Sequence, residues 1–488
     1  MMRRYAGRIW LITAVGFAVR LAQLGFQPLW RDEAFTALAV QRSWGSMLNV
    51  VRHDSAPPLF YLLERLVATL STSPAALRLV TVLAGTAAIP IMAALGRRVA
   101  GDNGGTWAAV IGALAPALVG SSLDARMYIL ATTLVLASTL CLLRALDRPT
   151  VLRWALYLAL SILAVYTVYF ALFALLGQIM AVAILYGRRR FGTAAVVAAL
   201  GIATVASLTP WILAASAQLS HGAGGFWVPN LSVVSLSGGL AQFFIGAPIN
   251  RWVPGYGAFL VVEGACIVAG LIGLAAMVIN RRTFQASGAQ AASLLALSAG
   301  VGVGVILLVS FWHPLEDGRY LGTAWAPLYP LVGAGLATLQ WRRVAVGAVA
   351  VMAAMSMAAF ITTTNPDTPA AVAAIERSAG PNDLIAAYPS EYLLVLYYGN
   401  SAIHAQTHSM ALAFPWFWGT AVYPQRAVLT TMPMPSADAP NVWYIAGPGD
   451  PSPPDPDGYT VKSHHCWTGV CVTMLSPSGF GAIGTPST

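Results

Sequence analysis

The chain has 488 residues, of which 57% are hydrophobic and only 9% charged, and its mean hydropathy is +0.69. Charged residues make up about a quarter of an ordinary soluble protein, so this composition excludes that class. The net charge of +9 comes from 26 arginines and one lysine against 18 acidic residues. The arginines occupy short segments between apolar runs, which is typical of membrane loops and argues against a nucleic-acid partner.

Eleven membrane spans are predicted from apolar runs that can cross a hydrocarbon layer of about 30 Å. They cover residues 9–27, 75–96, 106–122, 127–146, 154–167, 168–186, 193–215, 258–279, 291–312, 321–339 and 344–361. The positive-inside rule places the Arg-rich loops in the cytoplasm. The chain is therefore expected to cross the cytoplasmic membrane many times, with its N-terminus inside and its C-terminus outside. The first span lacks a cleavage site and predicts an uncleaved anchor.

Residues 57–72 form a further apolar segment, but they contain Glu64 and Arg65 and are too short to span. A span there would also break the parity that the Arg-rich loops require. The segment predicts a helix that lies at the membrane interface or dips into it.

The composition changes near residue 362, where proline, glycine, aspartate and serine become frequent. The predicted fold is an all-α membrane domain, residues 1–361, followed by a soluble α/β domain outside the membrane, residues 362–488. Helical spacing marks 370–377, and strand patterns mark 383–387, 442–446 and 459–475. An outside compartment permits a disulfide between Cys466 and Cys471. His464 and His465 lie beside them, but the spacing matches no common zinc pattern.

Charged and polar residues from distant loops fall on the outer side of this topology, together with Arg31, Asp32 and Glu33, which follow the first span. They include His53, Asp54, Asp124, Arg126, Tyr128, His221, Asn250, Arg251, Glu316, Asp317, Arg319 and Tyr320. An isolated arginine at a helix end is more often an anchor than a ligand. The positive-inside rule disfavours arginines on the outer side, however, and the carboxylates at the same depth can act as a base. Together these residues suit the binding of an anionic substrate, such as a phosphate, at the outer face.

Five short motifs resemble those of the multi-spanning GT-C glycosyltransferases, in the branch of the protein O-mannosyltransferases and the lipid A aminoarabinose transferase. They are LWRDEAF, DSAPPLFYLL, LDARMYIL, YTVYFALF and EDGRYL, and the resemblance extends over residues 9 to about 340. The resemblance implies sugar transfer from a polyprenyl-phosphate donor to a glycan, lipid or protein acceptor of the cell envelope. Membrane lipids are the other implied partners. A mannosyl or arabinosyl donor would suit a GC-rich bacterium, which the shortage of lysine suggests.

Site residues follow from the same resemblance, position by position. Asp32 matches the acidic residue of the first external loop and would be the general base, with Glu33 orienting it or substituting for it. Arg126 and Arg319 match phosphate-contacting positions, with Tyr128 and Tyr320 as their neighbours.

The chain departs from the family pattern at two positions, because Ala56 and Val168 stand where members often have histidine. Any metal or phosphate role of those histidines is therefore in doubt here. His53, three residues before Ala56, is the candidate substitute, and a histidine that only lies at the interface is the alternative interpretation. A divalent cation, Mg²⁺ or Mn²⁺, held by Asp54 and Asp124 is a further hypothesis. The glycine-rich segment 221–234 predicts a mobile loop over the donor.

Two other functions remain as alternatives. A secondary transporter or lipid flippase would also have many spans, but such proteins are typically built from repeats with polar groups at mid-depth. A membrane scaffold that presents the soluble domain is the third hypothesis, and it leaves Asp32 and Glu33 unexplained.

Overall fold

The structure, a computed structural model, divides the chain into two compact units. Residues 1–26 and 51–363 form one unit, called the membrane unit, and residues 27–50 and 364–488 form the other, called the external unit after its predicted side of the membrane. The predicted membrane domain, residues 1–361, includes 27–50, which the structure instead groups with the C-terminal segment. The structure describes residues 2–188, 190–216, 218, 228, 230–246, 256–280, 284–315, 317–340, 342–362, 365–410, 422, 428–429, 440–450 and 458–478.

Helices make up the described part of the membrane unit. They are α1 (Met2–Gln23), α4 (Leu59–Ala68), α5 (Pro74–Leu77), α6 (Leu79–Leu114), α7 (Pro116–Ser122), α8 (Tyr128–Asp147), α9 (Val151–Thr167), α10 (Ala171–Tyr186), α11 (Phe191–Ser207), α12 (Thr209–Ala214), α13 (Val233–Ile245), α14 (Tyr256–Ile279), α15 (Ala286–Val309), α16 (Gly318–Trp325), α17 (Leu328–Leu336) and α18 (Arg342–Thr362). Helix α3 (Trp44–Arg52) begins in the external unit and ends in the membrane unit.

Six described helical stretches are long and apolar enough to cross a membrane: Arg3–Gln23, Pro74–Leu114, Tyr128–Asp147, Phe191–Ala214, Leu260–Ile279 and Ala286–Val309. Shorter apolar helices, such as α9 and α10, fall where further spans were expected. The protein is therefore a helical membrane protein, as predicted. The predicted count of eleven spans is not confirmed. The segment 57–72 contains only the ten-residue helix α4.

The long helix α6 turns back on itself at Gly101, where φ is +64°. The halves on either side pack together, since a Cβ on Gly96 would meet Ala108 and the backbone of Gly104. Arg97 and Asp102 form an ion pair of 2.8 Å across the turn. This turn separates the predicted spans 75–96 and 106–122.

Arg20, on α1, points toward α6 and α7 and is 0% exposed. Its guanidinium donates to the carbonyls of Gly112 (2.9 Å) and Ala113 (3.2 Å) and to the hydroxyl of Ser122 (2.9 Å). These carbonyls lie just before Ala115, where the backbone becomes extended ahead of Pro116. Because a helix end leaves its last carbonyls without intrahelical partners, Arg20 satisfies two groups that the break exposes.

The external unit contains helix α2 (Arg31–Val40) and the C-terminal segment. Its remaining elements are α19 (Thr368–Ser378), β1 (Leu384–Ala387), α20 (Pro389–Tyr398), α21 (Ser401–Gln406), β2 (Thr407–Met410), β3 (Val428–Leu429), β4 (Val442–Ala446), β5 (Tyr459–Trp467) and β6 (Val470–Pro477). The described strands form one sheet in the order β3-β2-β1-β4-β6-β5. Strands β1 to β4 are parallel, whereas β6 and β5 run antiparallel to their neighbours. The predicted α/β domain is confirmed.

The disulfide between Cys466 and Cys471 is present and joins β5 to β6. Together with His464, these cysteines form the only group of three potential metal ligands among the described residues. Both sulfurs are used in the disulfide, so this group does not provide a metal site.

Candidate functional site

Tyr61 joins two of the predicted site residues in the membrane unit. Its hydroxyl donates to Asp54 Oδ2 (3.3 Å) and accepts from Arg126 Nη1 (3.4 Å). Tyr61 lies on α4, whereas Arg126 lies in the turn before α8. All three side chains are buried, and Arg126 is only 6% exposed. The structure therefore brings the DSAPPLFYLL and LDARMYIL motifs together around one buried guanidinium.

Aromatic contacts connect the start of α8 to α16. The rings of Tyr128 and Tyr320 lie 6.4 Å apart, and Tyr320 stacks on Phe170 at 4.2 Å. Arg319 precedes Tyr320 and pairs through Nε with Asp317 Oδ1 at 3.1 Å. Asp317 also caps α16 by accepting from the Arg319 backbone N–H (2.9 Å). The LDARMYIL, YTVYFALF and EDGRYL motifs thus meet through their aromatic rings.

Two other predicted residues differ in their surroundings. His53 is exposed, one residue from the buried Asp54. Asp124 is half-buried, and its carbonyl accepts the backbone N–H of Arg126 (2.7 Å), so it shapes the turn that carries the arginine. Among the described residues, neither Asp54 nor Asp124 belongs to a group of three potential metal ligands. A cation site at Asp54 and Asp124 stays a prediction.

Three further predicted features lie outside the described residues. They are Glu316, the pair Asn250 and Arg251, and most of the glycine-rich loop, including His221.

The Arg31-Asp32-Glu33 sequence forms the first turn of α2 in the external unit. Glu33 is 0% exposed, and its carboxylate accepts the backbone N–H of Trp30 (3.3 Å). Asp32 keeps 19% of its side chain exposed and pairs with Arg31 Nε at 3.1 Å. Of these two adjacent carboxylates, Asp32 is thus the more accessible one, while Glu33 stabilises the start of the helix.

Sequence patterns gave no sign of the residues that surround this turn. Helix α2 packs on α20, whose first turn carries Glu391. Glu391 is 3% exposed and accepts from the Thr368 hydroxyl at 3.1 Å. Burial raises the pKa of Glu391 to about 7, and the negative charge of Asp450 adds to that rise. The Thr368 hydrogen bond and the positive charge of Arg31 act in the opposite direction. The external unit thus contains a buried carboxyl whose charge is coupled to Arg31.

Comparisons with solved structures cover nearly the whole chain. ArnT from Cupriavidus metallidurans bound to undecaprenyl phosphate aligns with a TM-score of 0.57 at 14% identity, over 96% of this chain and 98% of that one. Its apo state aligns equally well, at 13% identity. The chain has the GT-C fold.

A second solved structure supports the fold more weakly. The oligosaccharyltransferase AglB from Archaeoglobus fulgidus, in complex with an inhibitory peptide and a dolichol-phosphate, aligns with a TM-score of 0.50 at 12% identity. The match covers 86% of this chain and 63% of AglB. The same archaeal enzyme aligns at 13% identity in its complex with Zn and sulfate. No family model and no curated protein sequence matches the chain.

Proposed function

We propose that the protein is a membrane glycosyltransferase that transfers a sugar from a polyprenyl-phosphate donor to an acceptor of the cell envelope, at the outer face of the cytoplasmic membrane. The observation that carries this proposal is the alignment, over almost the full length of both chains, with ArnT bound to undecaprenyl phosphate. The buried Arg126 supports it from within the chain, because a guanidinium suits the two-point recognition of phosphate oxygens.

The reaction is an inverting displacement at the anomeric carbon. Asp32 takes the proton of the acceptor hydroxyl, and the acceptor oxygen attacks the anomeric carbon as the bond to the phosphate oxygen breaks. The leaving group is the polyprenyl phosphate, which keeps the bonding electrons and gains negative charge. Arg126 and Arg319 stabilise that charge in the transition state.

Glu33 supports the base in this proposal rather than replacing it. Its carboxylate is fully buried and bonded to the Trp30 backbone N–H, so it fixes the turn on which Asp32 sits. Tyr61 has the corresponding role for Arg126, since its hydroxyl contacts the guanidinium directly. A divalent cation held by Asp54 and Asp124 would add positive charge beside the departing phosphate.

The test is sugar transfer by the purified protein in nanodiscs, with a panel of radiolabelled polyprenyl-phosphate sugars and a cell-envelope extract as acceptor. Asp32→Asn should reduce turnover by about 100-fold or more, the scale of a positioned acid or base. The variant must insert and fold like the wild type. Wild-type turnover in Asp32→Asn would remove this residue as the base. Movement of intact lipid across the bilayer without transfer would instead identify a flippase.

A further inference from the structure

Residues 27–29, which lie just before α2, are attached to the C-terminal segment of the external unit. The Leu29 N–H donates to the hydroxyl of Tyr398 at 2.7 Å. The side-chain amide of Asn365 donates to the Pro28 carbonyl at 2.7 Å, and the Asn365 backbone N–H donates to Gln27 Oε1 at 3.2 Å. Three hydrogen bonds therefore fix the chain immediately before the turn that carries Asp32.

The hydrogen bond from Leu29 to Tyr398 is costly to lose because it is buried. Leu29 is 0% exposed, so its N–H would be buried without an acceptor if the Tyr398 hydroxyl were removed. Tyr398 is the last residue of α20, the helix on which α2 packs. The same helix thus packs against α2 and, through Tyr398, also bonds to the segment that enters α2.

A shift at Leu29 would pass directly to Asp32. Trp30 and Ala34 are joined by a backbone hydrogen bond of 2.9 Å, and Trp30 is also bonded to Glu33, so the first turn moves as one piece. Proton abstraction depends steeply on geometry, and a displacement of about 1 Å can cost on the order of 100-fold in rate.

We propose that Tyr398 and Asn365 are positioning residues for Asp32, and that the C-terminal segment serves the reaction by holding the base-bearing turn. The proposal rests on the assignment of Asp32 as the base in the proposed function. The attachment itself is a separate physical claim and has its own readout.

The first experiment measures amide hydrogen exchange of residues 24–40 in the full-length protein in nanodiscs. Tyr398→Phe removes the acceptor, and Asn365→Asp removes the side-chain donor without changing its size. Each should speed exchange in this peptide by about 5- to 10-fold, the effect of losing one hydrogen bond. Unchanged exchange in both variants would overturn the attachment, whether or not the protein transfers sugar.

Two matched substitutions serve as controls. Tyr459→Phe removes a buried hydroxyl that has no hydrogen-bond partner among the described residues. Asn400→Asp keeps the oxygen that caps α21 by accepting the N–H groups of Ala402 and Ile403. Neither should change exchange in residues 24–40. Equal acceleration by the controls would show a general loosening of the external unit and contradict the proposal.

The second experiment measures whether the effect acts through Asp32. In the transfer assay, Tyr398→Phe should lower kcat by about 10-fold or more and leave the donor KM unchanged, since the donor contacts lie elsewhere in the chain. In the Asp32→Asn background the same substitution should have no further effect. An equal loss in both backgrounds, or no loss in either, would overturn the positioning role. Absence of transfer by the wild type would contradict the proposed function alone and leave the exchange result to decide the attachment.

Discussion

The two arginines proposed to contact phosphate are held differently by their neighbours. Arg126 is 6% exposed and touches the Tyr61 hydroxyl, whereas the side chain of Arg319 is 32% exposed and pairs with Asp317. Electrostatic interactions are stronger where water is excluded, so Arg126 should contribute more to donor binding.

Under the proposed function, we predict that Arg126→Lys weakens binding of a polyprenyl phosphate by about 10-fold or more, because an ammonium cannot reproduce the planar two-point contact. Arg319→Lys should weaken it less, and Arg3→Lys, at an exposed position of α1, should have no effect. The measurement is a lipid-binding titration of each variant in detergent. Equal affinities for wild type and Arg126→Lys would rule out that contact.

Arg20 carries a second prediction at the scale of single residues, and this one concerns stability. Arg20→Met keeps much of the length and removes all donors, so the carbonyls of Gly112 and Ala113 lose the bonds that the guanidinium provides. We expect a loss of about 2 to 4 kcal/mol, since two buried acceptors are affected. Thermal unfolding in detergent measures it. Arg8→Met, at an exposed position of the same helix, is the control, and a fall in Tm no larger than the control's would contradict this role.

Sequence patterns identified most of the residues that meet in the membrane unit, because short motifs carry Asp54, Arg126, Tyr128 and Tyr320. They did not identify Arg20 as a structural residue. An arginine near the end of an apolar run has the same sequence appearance whether it snorkels to the interface or bonds to a helix break. Only the packing of α1 against α6 and α7 distinguishes the two.

At the scale of elements, hydropathy located the apolar helices better than it located their ends. The turn at Gly101 and the break at Ala115 divide one long apolar helical region, and they depend on a positive φ and on a proline. Strands β1 and β4 and the hairpin of β5 and β6 fall on the predicted segments, because alternation and short apolar runs are local signals. Strands β2 and β3 were not predicted. The contact between α2 and α20 was not predicted, since nothing local in residues 31–40 specifies a partner about 350 residues away.

The first turn of α20 makes the stability of the external unit depend on pH. The pKa of Glu391 is raised from 4.5 to about 7, so the folded state retains a proton that the unfolded chain has already lost. The bound proton therefore contributes to the free energy of unfolding. This contribution is fully present below pH 4.5, is lost as the pH rises to about 7 and stays lost above that. The free energy of unfolding is lower above pH 7 than below pH 4.5 by about 3 kcal/mol from this group.

We predict that Glu391→Gln removes this dependence and makes the external unit more stable than the wild type at pH 8, because the amide oxygen still accepts from Thr368. The measurement is exchange of the α20 amides at pH 5.5 and pH 8, corrected for the intrinsic rates. Glu376→Gln provides the control, since Glu376 is exposed and its oxygen accepts from the Asn400 N–H. If the Glu391→Gln protein kept the pH dependence of the wild type, Glu391 would not be the group that causes it.

At the scale of the whole molecule, the external unit is assembled from two segments separated by the membrane unit in sequence. Residues 27–50 supply α2, whose buried face includes Phe35 and Ala37. The motifs predicted the GT-C fold. A single boundary at residue 361 could not show that residues 27–50 belong to the same unit as the C-terminal segment. The membrane unit keeps the two segments on one chain, which raises their effective concentration.

This arrangement predicts that residues 364–488 alone form an incomplete unit. Without α2, the surface of α20 that α2 covers is exposed to water, so the α20 amides should exchange at least about 10-fold faster than in the full-length protein. A peptide of residues 27–50 added in excess should restore protection in proportion to its concentration, because it binds only the folded form. A peptide with Phe35→Asp should fail to do so, since it would bury a carboxylate against an apolar surface. Full protection of residues 364–488 without any peptide would show that the segment folds independently, and that α2 is an accessory to the external unit rather than part of its core.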